Sequence, residues 1–124
     1  MKRFLFVLSV LLPVLVFGQK PYKFDHTKVD VGKIQVYKEA KGVYTIENTG
    51  KKPLIILEAV GSCGCVHVKY PKKPIAPGKQ AKIIVTYHPY APGEFKKGAF
   101  IRFSAKAPYD HIFLILTGKA VMDK

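Results

Sequence analysis

Residues 42–70 read GVYTIENTGKKPLIILEAVGSCGCVHVKY. Tyr44, Ile46 and Asn48 alternate with Thr45 and Glu47, the two-residue period of a half-buried strand. Asn48-Thr49-Gly50 breaks the run with turn residues. Pro53 to Val60 resumes it. A proline at the first position of a strand removes no ladder bond that the strand needs. Val66, Val68 and Tyr70 then alternate with His67 and Lys69. The stretch therefore spells strands and breaks, with no helical spacing of its apolar residues.

The flanks follow the same grammar. Tyr22–Phe24 and Lys28–Val36 precede it; Ala81–Tyr87, Phe95–Phe103 and His111–Val121 follow it. Pro71 to Pro77 is too rich in proline for an interior strand. Ala76-Pro77-Gly78 and Ala91-Pro92-Gly93 both suit a type II turn, with proline fixing φ and glycine accepting positive φ. No segment carries capped, three-turn helical periodicity. The expected fold is all-β: an immunoglobulin-like antiparallel β-sandwich of about seven strands. A small barrel is the alternative. The chain has no tryptophan and its two cysteines are local neighbours, so an antibody-type core is excluded.

With 124 residues the chain has room for one domain. Its start, MKRFLFVLSVLLPVLVFGQK, has a basic tip at Lys2 and Arg3 and an apolar run from Phe4 to Phe17. That is the pattern of a secretory signal peptide, with Val16 and Gly18 at the −3 and −1 positions. The run is shorter than the roughly 20 apolar residues of a membrane span, and no other run is long enough. The expectation is a signal peptide over 1–18 and one domain over 19–124, located in the periplasm or outside the cell. Two cysteines in an oxidising compartment are free to pair.

The formal charge is +13, and removing Lys2 and Arg3 leaves +11. The lysines are scattered in ones and twos. Such a charge favours association with anionic envelope polymers or lipid head groups, or serves as a solubilising surface. Nucleic acid is not an expected partner: only Arg102 remains as arginine after residue 18, and no nucleic-acid motif occurs.

DVGKI from Asp30, YTIENTGKKPLIILEAVGSCGCV from Tyr44 and YPKKPIAPGKQAKIIVTY from Tyr70 occur in order. This series resembles the bacterial family known as domain of unknown function 1573. The GEFKK segment at Gly93–Lys97 and Gly118-Lys119-Ala120 extend the likeness over nearly the whole chain after the leader. Val66 stands where that family usually has threonine, and Ser104-Ala105 where it often has Ser-Asn. The resemblance implies a secreted domain, similar in fold to the Ig-like domains of major sperm protein and of ciliary and centrosomal proteins. It implies no particular activity.

The GSCGCVH segment at residues 61–67 has three chemical readings. A turn at Gly64 brings Cys63 and Cys65 into disulfide range. A strand running on through Val66 puts Cys63, Cys65 and His67 on one face, a donor set for copper(I) or, with a fourth ligand from His88, His26 or His111, for zinc. Lys69, Lys72 and Lys73 could lower a thiol pKa and support redox exchange. The aromatics Tyr44, Tyr70, Tyr87, Tyr90, Phe95, Phe100 and Phe103 serve either as core or as a recognition stripe. There is no G-x-S-x-G, no phosphate-binding glycine loop and no recognisable carboxylate pair. The expected function is therefore non-catalytic: an interaction module of the cell envelope, binding an envelope protein or an anionic envelope polymer, with no cofactor. The alternative is a copper, zinc or thiol-redox protein working through Cys63, Cys65 and His67.

Overall fold

The computed structural model describes residues 20–122. The leader expected at 1–18 lies outside them. Eight strands succeed one another: β1 (Tyr22–Phe24), β2 (Lys28–Gln35), β3 (Ala40–Asn48), β4 (Ile56–Gly61), β5 (Val66–Lys69), β6 (Gln80–Tyr87), β7 (Gly93–Phe103) and β8 (His111–Val121). They form two four-stranded sheets, ordered β1-β3-β6-β5 and β2-β8-β7-β4. The expected sandwich forms, with one strand more than the seven anticipated.

One pairing departs from the antiparallel expectation. β2 runs parallel to β8, with Lys28 opposite Ile115 and Gln35 opposite Val121. The N-terminal strand changes sheets between Phe24 and Lys28, so β1 pairs antiparallel with β3 while β2 joins the far edge of the other sheet. Alternation tells which side of a strand faces the core. It says nothing of the direction in which the neighbour runs.

The two inner faces make the core. Tyr44 and Ile46 from β3, Ile83 and Val85 from β6, Ile101 from β7, and Leu114 and Leu116 from β8 are fully buried. Each large aliphatic side chain so buried contributes roughly 1.5–3 kcal/mol of transfer free energy. The run expected at Pro53–Val60 is divided. Leu54 makes an isolated bridge to Ile75, and β4 proper begins at Ile56. At the Ala76-Pro77-Gly78 turn, the Lys79 N–H donates to the Ala76 carbonyl at 3.0 Å and Gly78 takes φ +81°, as a type II turn requires.

Tyr44 joins the sheets by more than packing. From β3 its hydroxyl donates to the Ile115 carbonyl of β8 in the opposite sheet. Burial pushes the Tyr44 phenol up to about 12. Tyr22 also rises to about 12, through burial first and then the nearby Asp110 and Tyr109. A raised folded-state pKa means that the unfolded chain releases these protons first. Stability is then fully present below the ordinary tyrosine value of about 10 and is lost as pH rises from there towards 12. Urea midpoints measured from pH 7 to 12 should stay level to about pH 10 and then fall. Tyr44→Phe should lower stability by about 1 kcal/mol at pH 7 and make the alkaline fall shallower. An equally steep fall in Tyr44→Phe would remove Tyr44 from the account.

Candidate functional site

The Cys-Gly-Cys segment forms the corner by which the chain leaves one sheet for the other. β4 ends at Gly61, and β5 begins at Val66 in the opposite sheet. The chain turns at residues 62–65, and the continuous strand on which the metal reading depends does not form. The Val66 N–H donates to the Cys63 carbonyl at 3.1 Å and closes a turn. The Ser62 N–H donates to the Gly98 carbonyl at 2.8 Å, and the Gly98 N–H donates to Ser62 Oγ at 3.1 Å. These bonds hold the start of the corner to β7.

Within the turn the two cysteine sulfurs lie at bonding distance, 1.95 Å, with Cα atoms 5.3 Å apart. Both side chains are half-buried and pack against the core. Val66 then faces inward and His67 outward. The shared face needed for a Cys63, Cys65 and His67 donor set came from continuing the strand, and the corner removes that premise. The His67 ring instead lies 6.5 Å from that of His88, whose Nε2 is 3.7 Å from a Glu39 carboxylate oxygen. Among the described residues, no three His, Cys, Asp or Glu side chains gather as a metal-holding group. Closing so small a ring stabilises little, because the chain-entropy effect of a disulfide grows with the loop it closes.

The open sheet edges differ in kind. β1 has three residues and β5 four, which are short edges. β2 is longer but carries Lys28 and Lys33 and a register shift between Asp30 and Lys33. Its bend is fixed by Gly32 at φ +71°, whose N–H donates to Asp30 Oδ1 at 2.8 Å. Lysines and bulges are standard guards of an edge. β4 has a register shift near its start, but Glu58–Gly61 pairs regularly with β7 and carries no lysine.

Beside that edge lies an apolar row. Val60 on β4 is opposite Phe100 on β7, and Phe100 is opposite Phe113 on β8. Val60 is 48% exposed, Phe113 59% and Leu57, on the bulge, 46%. The Phe100 and Phe113 ring centroids are 5.2 Å apart, and His111 stacks on Phe100 at 5.7 Å. A depression of about 320 Å³ adjoins the row, lined by Val60, Ser62, Gly98, Phe100, Phe113 and Ile115. Next to it Glu58 pairs with Arg102 at 3.2 Å, giving one flank an ionic border.

Of the aromatics that serve as core or as a recognition stripe, Tyr44, Tyr87 and Phe103 are core and Tyr90 is exposed at a loop. Phe100 belongs to the outer row. Val60 and Phe113 were not singled out from sequence. Their signal was an apolar residue out of phase with the buried parity, on neighbouring strands.

Comparison with known proteins agrees with this architecture. Residues 22–119 match the family model described as a protein of unknown function, domain of unknown function 1573. A protein of unknown function from Porphyromonas gingivalis has a similar structure, with TM-score 0.67, 13% identity and 79% of this chain covered. This chain spans only 46% of that one. The ASH/PapD-like domain 7 of human CEP192 is similar at TM-score 0.64 and 12% identity, over 90% of this chain and 94% of that one. An MSP family member of Caenorhabditis elegans is similar at TM-score 0.50 and 14% identity, over 83% of this chain and all of the other. No curated protein sequence matches the chain. At such identities the structural neighbours speak for fold alone, whereas the family match runs through nearly every strand: this chain belongs to the family of domain of unknown function 1573.

Proposed function

We propose that this protein is an exported, non-catalytic interaction domain of the cell envelope that receives an extended segment of a protein partner along β4. The observation that carries the reading is the lysine-free β4 edge, regularly paired over Glu58–Gly61, beside the Val60–Phe100–Phe113 row. An open edge offers main-chain hydrogen bonds, and the apolar row offers side-chain contacts to alternate residues of an added strand. The Cys63–Cys65 pair acts as a local staple at the end of that edge rather than as a reactive centre. Its half-buried position against the core supports this role.

Leu57→Lys with Val60→Lys should guard the edge as lysines guard β2. The double variant should fold and lose at least tenfold in partner affinity, because two exposed apolar contacts of about 1 kcal/mol each are removed. The same change to lysine made at Val43 and Ile84, paired on the outer face of the other sheet, should leave binding intact. Equal loss from both pairs would count against β4 as the binding edge.

A further inference from the structure

Sorting the loops by the end of the sandwich at which they lie separates the charge. Residues 49–55 follow β3, 70–79 follow β5 and 104–110 follow β7, all at one end. They bring together Lys51, Lys52, Lys72, Lys73, Lys79 and Lys106, all exposed. The one acid in these loops is Asp110, whose carboxylate meets His111 Nδ1 at 3.1 Å. Among the described residues none of the six lysines forms an ion pair. At the opposite end, residues 36–39, 62–65 and 88–92 hold one lysine, Lys38, and one acid, Glu39. The strands between span roughly 30 Å at about 3.3 Å per residue. That is several Debye lengths at physiological salt, so the basic end acts electrostatically on its own.

The three loops are tied to one another. Buried Asn48 donates from Nδ2 to the carbonyls of Lys52 at 2.8 Å and Ile75 at 2.7 Å. Leu54 and Ile75 exchange backbone hydrogen bonds at 2.9 and 2.7 Å. The Ser104 N–H donates to the Ile55 carbonyl at 2.9 Å, and the Ile55 N–H donates to Ser104 Oγ at 3.0 Å. The lysines therefore stand on a fixed platform, and little backbone ordering remains to oppose binding. Pro53 and the 37% exposed Ile55 add apolar surface to the same end.

We infer that this end docks on an anionic lipid bilayer, with the long axis of the sandwich raised from the surface. A bilayer presents anionic head groups across the whole end, to the lysines of all three loops. A single polyanion strand in the cavity of about 490 Å³ rimmed by Lys51, Lys52 and Lys106 leaves Lys72, Lys73 and Lys79 unused. Lysine, a compact hydrated charge without a planar fork, suits a field of head groups better than one bidentate anion. The surface is separate from β4 and does not rest on that edge being occupied.

The test is co-sedimentation of the protein without its leader with phosphatidylcholine vesicles containing about one third phosphatidylglycerol, at physiological salt. Each lysine near such a surface is worth about fivefold in binding. Lys51→Glu, Lys52→Glu and Lys106→Glu together should weaken binding by at least about 100-fold. The same charge change at Lys28, Lys33 and Lys119, on the flank, should weaken it by less than about fivefold. Pure phosphatidylcholine should not bind. Thermal melts of both triple variants establish that each is folded. Equal loss from the two triples would overturn the proposal, since net charge and not this end would then be responsible. Binding to soluble polyphosphate with no binding to anionic vesicles would also overturn it. No protein partner enters the assay, so its outcome is independent of the β4 reading.

Discussion

Asn48→Asp should destabilise the protein by about 3–5 kcal/mol, the largest single-residue loss expected here. Asn48 is 1% exposed at the end of β3. Every polar atom of its side chain is used. Nδ2 donates to the Lys52 and Ile75 carbonyls, and Oδ1 accepts from the Gly50 N–H at 2.9 Å. Its backbone binds the neighbouring loop as well, the N–H donating to Lys79 O at 3.0 Å and the carbonyl accepting from Gly78 at 2.8 Å. Aspartate has almost the same shape but, when ionised, donates nothing. Two carbonyl oxygens would then face a buried carboxylate. The urea midpoint at pH 7 is the measurement, and part of the loss should return at low pH, where a protonated carboxyl can donate once. A loss below about 1 kcal/mol would mean that Asn48 does not tie these loops together.

The second large effect lies in the cysteine segment and falls on a glycine. A Cβ at Gly61 would stand 2.6 Å from the Val66 carbonyl oxygen and 2.8 Å from the Val66 Cβ. The obstruction is backbone, so Gly61→Ala must push β4 and β5 apart where the chain changes sheets. About 2–3 kcal/mol is the expected cost of such overpacking. Gly64 sits between the cysteines and gives the opposite expectation. A Cβ there meets nothing within 4 Å, and Gly64 is not among the glycines with positive φ. Gly64→Ala should change stability by no more than about 0.5 kcal/mol. Thermal melts of the two variants decide the matter. A reversal of their order would show that the turn, and not the approach of β4 to β5, is the constrained part of the segment.

That contrast shows what sequence could and could not disclose. From sequence, Gly64 was the glycine that let the Cys-Gly-Cys bend. In the structure the close approach is at Gly61. The inward parity of β3, with Tyr44 and Ile46, is plain in the alternation, because burial on one face selects every second residue. Asn48 reads as a turn former, and so it is: its Oδ1 accepts from Gly50. Its role as a buried hub depends on Ile75, 27 residues away, which no local pattern encodes.

The outer row needs three strands in register before Val60, Phe100 and Phe113 meet. Parallel pairing of β2 with β8 is hidden for the same reason. The basic end is the clearest case. Its lysines are scattered along the sequence, and only the topology gathers them.

β4 is proposed as the place where a protein partner is received. Photo-crosslinking in cells that produce the protein tests this directly, with a photoreactive phenylalanine analogue placed singly at Leu57, Val60, Phe113, Val43 and Lys82. The expected result is one adduct of defined mass from positions 57, 60 and 113 and none from 43 and 82. Adducts from 43 and 82 instead, or the same adducts from all five positions, would contradict the β4 edge as the working surface of this protein.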